Sequence, residues 1–184
     1  MAIGVFGGTF DPVHIGHLRV AEEIREAFGL DKVLFVPACY PPHKTERNTA
    51  DAQTRLELLG LAVRTAGPLA VSDMEVRRGR MSYSIHTIQA QEGEHPALSF
   101  ILGVDAFRDI HTWRRYPELF FHTNFLVMTR ESGMPAKILD LVPPDVRALM
   151  KDKGDGVLEH GSGKRVYCYH VTRLDISSTR IREL

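Results

Sequence analysis

Two histidines three residues apart, His14 and His17, follow the run Gly7-Gly8-Thr9-Phe10-Asp11-Pro12-Val13. At that spacing in the first turn of a helix, both imidazoles can point into one crevice. A helix N-terminus adds free N–H groups and a positive dipole end, so the pair suits the holding of a polyphosphate. Gly7 and Gly8 let backbone come close to a ligand, as a side chain would not. The same residues also read as a capped turn, with one histidine bonded to the backbone and the other solvated. As a metal pair they lack a third ligand at useful spacing. Near the other end, Ser177, Ser178 and Thr179 precede Arg180 and Arg182. Hydroxyls, free N–H groups and arginine at one helix entrance form a phosphate cradle, although Ser-Ser-Thr is equally a good N-cap. Gly103 and Asp105 follow an apolar run; a close backbone and a carboxylate acceptor are what a ribose diol needs, and a helix cap is the alternative.

These groups need a frame that brings both ends of the chain together. Residues 2–6 form an apolar run rich in strand formers, closed by the glycines. Leu18, Ala21, Ile24, Ala27 and Phe28 then recur at helical spacing, with Gly29 as C-cap, and residues 33–36 form a second apolar run stopped by Pro37. Strand, helix and strand make a βαβ unit, which predicts a parallel sheet. The loop after the second strand carries Pro41-Pro42-His43-Lys44. It should face the same crevice as His14 and His17, unless it is an exposed proline turn. Residues 51–65 read as a helix with Asp51 at its start, a stripe of Leu56, Leu59 and Val63, and Arg55 and Glu57 facing outward. Further strands are expected at 69–71, 98–102, 125–128 and 166–170.

Ser82 is the expected N-cap of a helix opening at 81–88, and Arg77, Arg78 and Arg80 read as a solvated face. A short helical piece at 145–150 lies between loops at 131–135 and 143–144. Residues 151–164, rich in Gly, Lys and Asp, read as a mobile loop. The fold class is α/β, a Rossmann-like doubly wound, largely parallel sheet of about five or six strands with helices on both faces. One domain spanning 1–184 is expected, as suits a chain of 184 residues.

Composition narrows the partners. There are 23 basic and 23 acidic residues, so no global field points to nucleic acid or membrane. No apolar run approaches the ~20 residues that span a bilayer, and Met1 leads directly into a strand. Cys39 and Cys168 stand far apart without CxxC spacing, so two reduced thiols in a cytoplasmic protein are expected.

The run Gly7-Gly8-Thr9-Phe10-Asp11-Pro12-Val13-His14-Ile15-Gly16-His17 resembles the signature of the bacterial nicotinate-nucleotide adenylyltransferases, within the nucleotidyltransferase superfamily that carries His-x-Gly-His. Ile176-Ser177-Ser178-Thr179-Arg180-Ile181-Arg182 is similar to the second signature, Ser-x-Thr-x-x-Arg mapping onto Ser177, Thr179 and Arg182. The resemblance implies an ATP site of Gly7, Gly8, Thr9, Phe10, His17, Gly103, Asp105, Ile176, Ser177, Ser178, Thr179 and Arg182, with Asp105 on the ribose. It implies that Pro-Pro-His-Lys works at the triphosphate, and gives His14, His17, Lys44 and Arg182 catalytic roles. On the acceptor side it implies His43, Lys44, Ser84, Thr87, Trp113 and Arg114, with Trp113 stacked on a pyridine ring and Ser84 donating to its carboxylate. The family's Ser-Tyr-Thr is Ser82-Tyr83-Ser84 here, a hydroxyl kept and a methyl lost. From the residues alone, Trp113 also fits a packing anchor and the hydroxyls fit capping. Family members usually continue beyond the position of Leu184.

The implied reaction moves AMP from ATP to nicotinate mononucleotide, releasing pyrophosphate. The acceptor's 5′-phosphate is already an anionic nucleophile, so positioning and charge stabilisation carry the chemistry. Mg²⁺ would ride on the ATP phosphates, since no Asp/Glu cluster would cage a metal. The partners are thus ATP and a pyridine mononucleotide, and a homo-oligomer is compatible with this reading. Nicotinamide mononucleotide, phosphopantetheine or a cytidylyl transfer are rivals within the superfamily. His14-Ile15-Gly16-His17 is also the tetrapeptide of class I aminoacyl-tRNA synthetases, but the chain lacks room for a tRNA-binding domain and has no net basic charge. A nucleotide sensor without turnover is the reading from another class.

Overall fold

Alternation along the central strands divides the apolar residues between two faces. Val5, Phe100, Leu102, Phe125 and Val127 enter one buried cluster, while their neighbours Phe6, Ile101, Leu126 and Met128 enter another. Period-two alternation of this kind means that both faces of the sheet must be covered. The computed structural model describes residues 1–41, 49–129 and 138–184. In chain order its strands are β1 (Ala2–Gly8), β2 (Lys32–Pro37), β3 (Leu69–Val71), β4 (Ala97–Gly103), β5 (Asn124–Thr129), β6 (Met150–Gly154), β7 (Val157–His160) and β8 (Arg165–His170). Its α-helices are α1 (Ile15–Ala27), α2 (Ala52–Val63), α3 (Met74–Arg78), α4 (Ser84–Glu94), α5 (Val104–Arg108), α6 (Tyr116–His122), α7 (Pro144–Arg147) and α8 (Ser178–Arg182).

The strands form one sheet in the order β3-β2-β1-β4-β5-β8-β7-β6. Pairing is parallel from β3 through β8 and antiparallel for β8-β7 and β7-β6. One core holds Val20, Ala21 and Ile24 of α1 with Leu59 of α2. The other holds Ile85 and Ile88 of α4, Phe107 of α5, and Leu119 and Phe120 of α6. This is the doubly wound α/β arrangement expected, with helices on both faces. Because β1 lies between β2 and β4, the chain changes direction of winding there, and the crevice beyond the carboxyl ends of β1 and β4 is where such sheets bind ligands. Truncating Phe125, which is fully buried between neighbours of both α5 and α6, should cost about 3–5 kcal/mol.

Six strands match the six expected; the two additional ones correct the reading of 151–164 as a loop. β6 and β7 pair as a hairpin through Gly154-Asp155-Gly156, whose φ angles of 81°, 50° and 73° are all left-handed. Asp-Gly flanked by strand residues is a hairpin signal. It was masked because β6 is an edge strand, solvated along most of its length and therefore polar in composition. The piece expected at 145–150 is shorter, ending at Arg147, and Met150 already belongs to β6. Arg55 does not face outward: it is 1% exposed. The loop expected at 131–135 lies outside the described residues. Among the described residues, no helix is long and apolar enough to cross a membrane.

Candidate active site

β1 ends at the glycine pair, and its exit loop delivers His14 to the N-cap of α1. The His14 N–H donates to Nδ1 of His17 at 3.2 Å, completing a reciprocal cap, and the two rings lie 3.8 Å apart at 32°. His17 meets Phe10 edge-on at 5.2 Å. The close approach depends on Gly16, where a Cβ would come within 3.0 Å of the His14 ring and 3.2 Å of Ile176. Phe10 is only 3% exposed and packs against Phe6 and Phe35. Its ring is a core element, so Phe10 can offer a ligand its backbone alone.

The far end of the chain returns to this loop. Ser177 caps α8 by accepting from the Arg180 N–H at 3.2 Å, and the Ser178 hydroxyl donates to the Pro12 carbonyl at 2.9 Å. Arg182 donates to the Asp11 carbonyl and to Thr179 Oγ1, and stands 3.7 Å from the Asp11 carboxylate. Ile176, Ser177, Ser178, Thr179 and Arg182 are thus brought beside His14 and His17, although residues 18–175 separate the two groups of side chains in sequence.

On the β4 side, Gly103 is the N-cap of α5 and Asp105 lies in its first turn, its side chain 92% exposed and paired to Arg108 at 3.3 Å. Between the β1 and β4 exits runs a cleft of about 300 Å³. Gly7, Gly8 and Thr9 line one wall; Ser84, Trp113 and Arg114 line another; Phe100 and Gly103 lie between them. Trp113 meets Phe100 edge-on at 6.2 Å, and the Arg114 guanidinium lies 4.9 Å over the Tyr83 ring. The wall is therefore aromatic and held by the core beneath it.

Three assignments change. Ser82 is not the N-cap of α4; Tyr83 holds that position, and the Ser82 hydroxyl accepts from the Cys39 N–H at 2.9 Å. Thr87 does not line the cleft: it is buried and its hydroxyl donates to Glu75. Of the three arginines expected on a solvated face, Arg77 and Arg80 are exposed, Arg77 pairing with Asp73 at 3.1 Å, but Arg78 is half-buried with one guanidinium nitrogen fully covered, and α3 also places Glu75 in the cleft wall. His43 and Lys44 lie outside the described residues. Asp11, Arg55, Glu75 and Ser82 are among the polar residues of this region that sequence reasoning did not assign to the site. Of these, only Asp11 carried a signal, its place in the glycine-rich run.

Charge around the cleft is local. Burial, followed by Arg78, Arg114, Arg115 and Arg80, lowers the His86 ring from its ordinary pKa. Burial also pushes both Cys39 and Cys168 thiols up, which keeps them protonated. Among the described residues, no group of three or more His, Cys, Asp or Glu side chains could hold a metal ion. A divalent cation carried on a triphosphate needs no such cage.

A family model described as cytidylyltransferase-like matches residues 5–184, so the fold and the site define a nucleotidyltransferase of that class. A probable nicotinate-nucleotide adenylyltransferase of Desulfatibacillum aliphaticivorans is 41% identical over the whole chain and 88% of its own length. One of Geobacter sulfurreducens is 42% identical over the whole chain and 87% of its own. The chain belongs to this nicotinate-nucleotide adenylyltransferase family. The Plasmodium falciparum nicotinic acid mononucleotide adenylyltransferase shares the fold at 19% identity, with a TM-score of 0.72 for its complex with NaAD, over 99% of this chain and 82% of that one. Its complex with APC gives 18% identity and 0.69 over the same shares.

Proposed function

We propose that the chain transfers the adenylyl group of ATP to nicotinate mononucleotide, forming nicotinate adenine dinucleotide and pyrophosphate in NAD biosynthesis. The observation that carries this reading is the joining, at the switch point, of a glycine-lined phosphate corner to an aromatic cleft, in a chain whose full-length relatives bear that name. An oxygen of the acceptor's 5′-phosphate attacks the α-phosphorus of ATP. The bond to the bridging oxygen breaks, and the electron pair leaves with pyrophosphate. No proton has to be removed from the nucleophile, so the protein's work is alignment and neutralisation of charge.

His14, His17, Lys44 and Arg182 are the groups for that charge, with Ser177, Ser178 and Thr179 at the triphosphate and Asp105 on the ribose. Mg²⁺ enters with ATP as part of the substrate. Ser84 at the first turn of α4 supports recognition of the carboxylate, and Trp113 offers a flat apolar partner to the pyridine ring. Residues 1–184 act as one nucleotidyltransferase domain, and we place it in the cytoplasm.

The test is pyrophosphate release with MgATP and, in turn, nicotinate mononucleotide, nicotinamide mononucleotide and phosphopantetheine. Preference for the carboxylate substrate is expected. Release with phosphopantetheine, or no release with any of the three acceptors, would overturn the function and leave the fold.

A further inference from the structure

Arg55 lies behind the cleft wall, on the first turn of α2, with 1% of its surface exposed. Four of its N–H groups are spent on backbone carbonyls. Nε donates to Ala50 at 2.9 Å, one terminal nitrogen to Thr9 at 2.7 Å, and the other to Ala38 at 2.7 Å and Cys39 at 3.1 Å. Burying a guanidinium is costly unless its donors are met, and here they are met by main chain rather than by a carboxylate. Burial lowers its pKa from the ordinary value and Asp11, the first of the nearby charges, raises it; an arginine stays protonated through such a shift.

The identity of those carbonyls gives the cation its meaning. Thr9 belongs to the glycine-rich exit of β1, and Ala38 and Cys39 to the exit of β2. Thr9 and Ala38 both line the cleft. The Cys39 N–H in turn donates to Ser82, the Ser82 N–H donates to the Tyr40 carbonyl, and Tyr40 bridges Met81, which ties the β2 exit to the segment leading into Ser84. On the opposite side, the Ala50 N–H donates to the Asp11 carboxylate at 3.3 Å, and Asp11 is engaged by Arg182. One buried cation therefore sits where the backbone of the phosphate corner meets the backbone of the acceptor wall.

We propose that Arg55 is a positioning residue: its guanidinium fixes the β1 exit at Thr9 against the β2 exit at Ala38 and Cys39, and so sets the distance between the two nucleotides. It touches neither nucleotide. This rests on the adenylyl-transfer reading above, and it makes a kinetic demand that a general contribution to folding does not. Each half of the site keeps its own contacts when Arg55 is altered, so each nucleotide still binds. What is lost is alignment between the nucleophile and the α-phosphorus, and small misplacements of reacting groups are costly in turnover.

The experiment compares Arg55→Lys and Arg55→Gln with the parent protein. Lysine keeps a buried cation but lacks the planar fork needed to span carbonyls on three segments; glutamine keeps one donor group and no charge. Active sites are counted by single-turnover amplitude, so that rates refer to folded molecules. The expected result for Arg55→Lys is a fall in kcat of roughly a hundredfold per active site, with the dissociation constants of MgATP and of nicotinate mononucleotide, each measured alone, changed by about threefold or less. Arg55→Gln should behave likewise with a lower melting temperature. An unchanged kcat per active site would overturn the proposal, and so would a loss confined to one nucleotide's affinity. Failure of both variants to fold would overturn it as well, by making Arg55 a requirement of the fold. Failure of the underlying reading would show separately, as absence of pyrophosphate release in the parent protein.

Discussion

The two halves of the site are built by different means. The acceptor cleft has apolar side chains standing on the core: Trp113 rests against Phe100, and Glu75 in the wall is held by the hydroxyl of the buried Thr87 behind it. The phosphate corner is assembled from polar groups at opposite ends of the chain, engaged with one another and with main-chain carbonyls. His14 and His17 cap one helix, and Arg182 holds the Asp11 backbone. A ring-binding wall is preformed because packing makes it rigid at no polar cost. A corner of charged groups must instead satisfy them internally, and under the proposed function those contacts are exchanged for phosphate when the nucleotide binds.

The comparison predicts separable kinetic effects. The largest is expected for His17→Ala. Turnover should fall by about two to three orders of magnitude, as for the removal of other charge-stabilising donors, while urea unfolding shows a loss of only about 1 kcal/mol for the helix cap. An active variant would remove His17 from the phosphate corner. Next is Trp113→Ala. Stacking of an aromatic on a base is worth about 1–3 kcal/mol, so steady-state kinetics should show the acceptor KM rising roughly five- to hundredfold, with the KM for ATP within about twofold. Equal changes in both would erase the division into halves.

Asp105→Asn should be smaller, raising the KM for ATP by about three- to tenfold with the acceptor KM unmoved, since an amide keeps an acceptor but loses the charge.

The smallest effect concerns a part of the sheet outside both halves. His160 on β7 is 3% exposed, and burial holds its pKa below the ordinary histidine value. The unfolded chain therefore binds a proton that the folded ring refuses. Stability should fall as pH drops through the ordinary histidine range, with His86 acting in the same direction. Urea midpoints at pH 7.5 and 5.5 should differ less in His160→Gln than in the parent, with kcat at pH 7.5 unchanged. A change in kcat there would mean that the antiparallel edge reaches the site after all.

Reading the sequence succeeded where a residue's role is local. Gly7-Gly8 ending a strand, Gly29 at φ 60° after α1, and Asp51 accepting from the Thr54 N–H at 2.9 Å are consequences of short-range sterics and hydrogen bonding. The order of apolar strand, amphipathic helix and apolar strand was likewise visible, and with it the parallel sheet. The hairpin of β6 and β7 was not, because an edge strand buries little and its polar composition resembles a loop. Ser82 was misjudged for a related reason: a serine before a helix is a cap unless a distant N–H, here that of Cys39, claims its oxygen.

What the sequence by itself determined is the fold class, the positions of six of the eight strands among the described residues, and the family to which its two signatures belong. Those properties follow from periodicity and from short motifs, whose physics acts over a few residues. What only the tertiary structure decided is which polar groups meet. Arg55 reads from its neighbours as a solvated charge, yet it lies one helical turn from Leu59 and is buried with it. Its carbonyl partners lie up to 46 residues away, and a cation's desolvation is repaid only when all of those segments arrive together. No local pattern in the chain encodes that meeting, because its energy exists only once the sheet has formed.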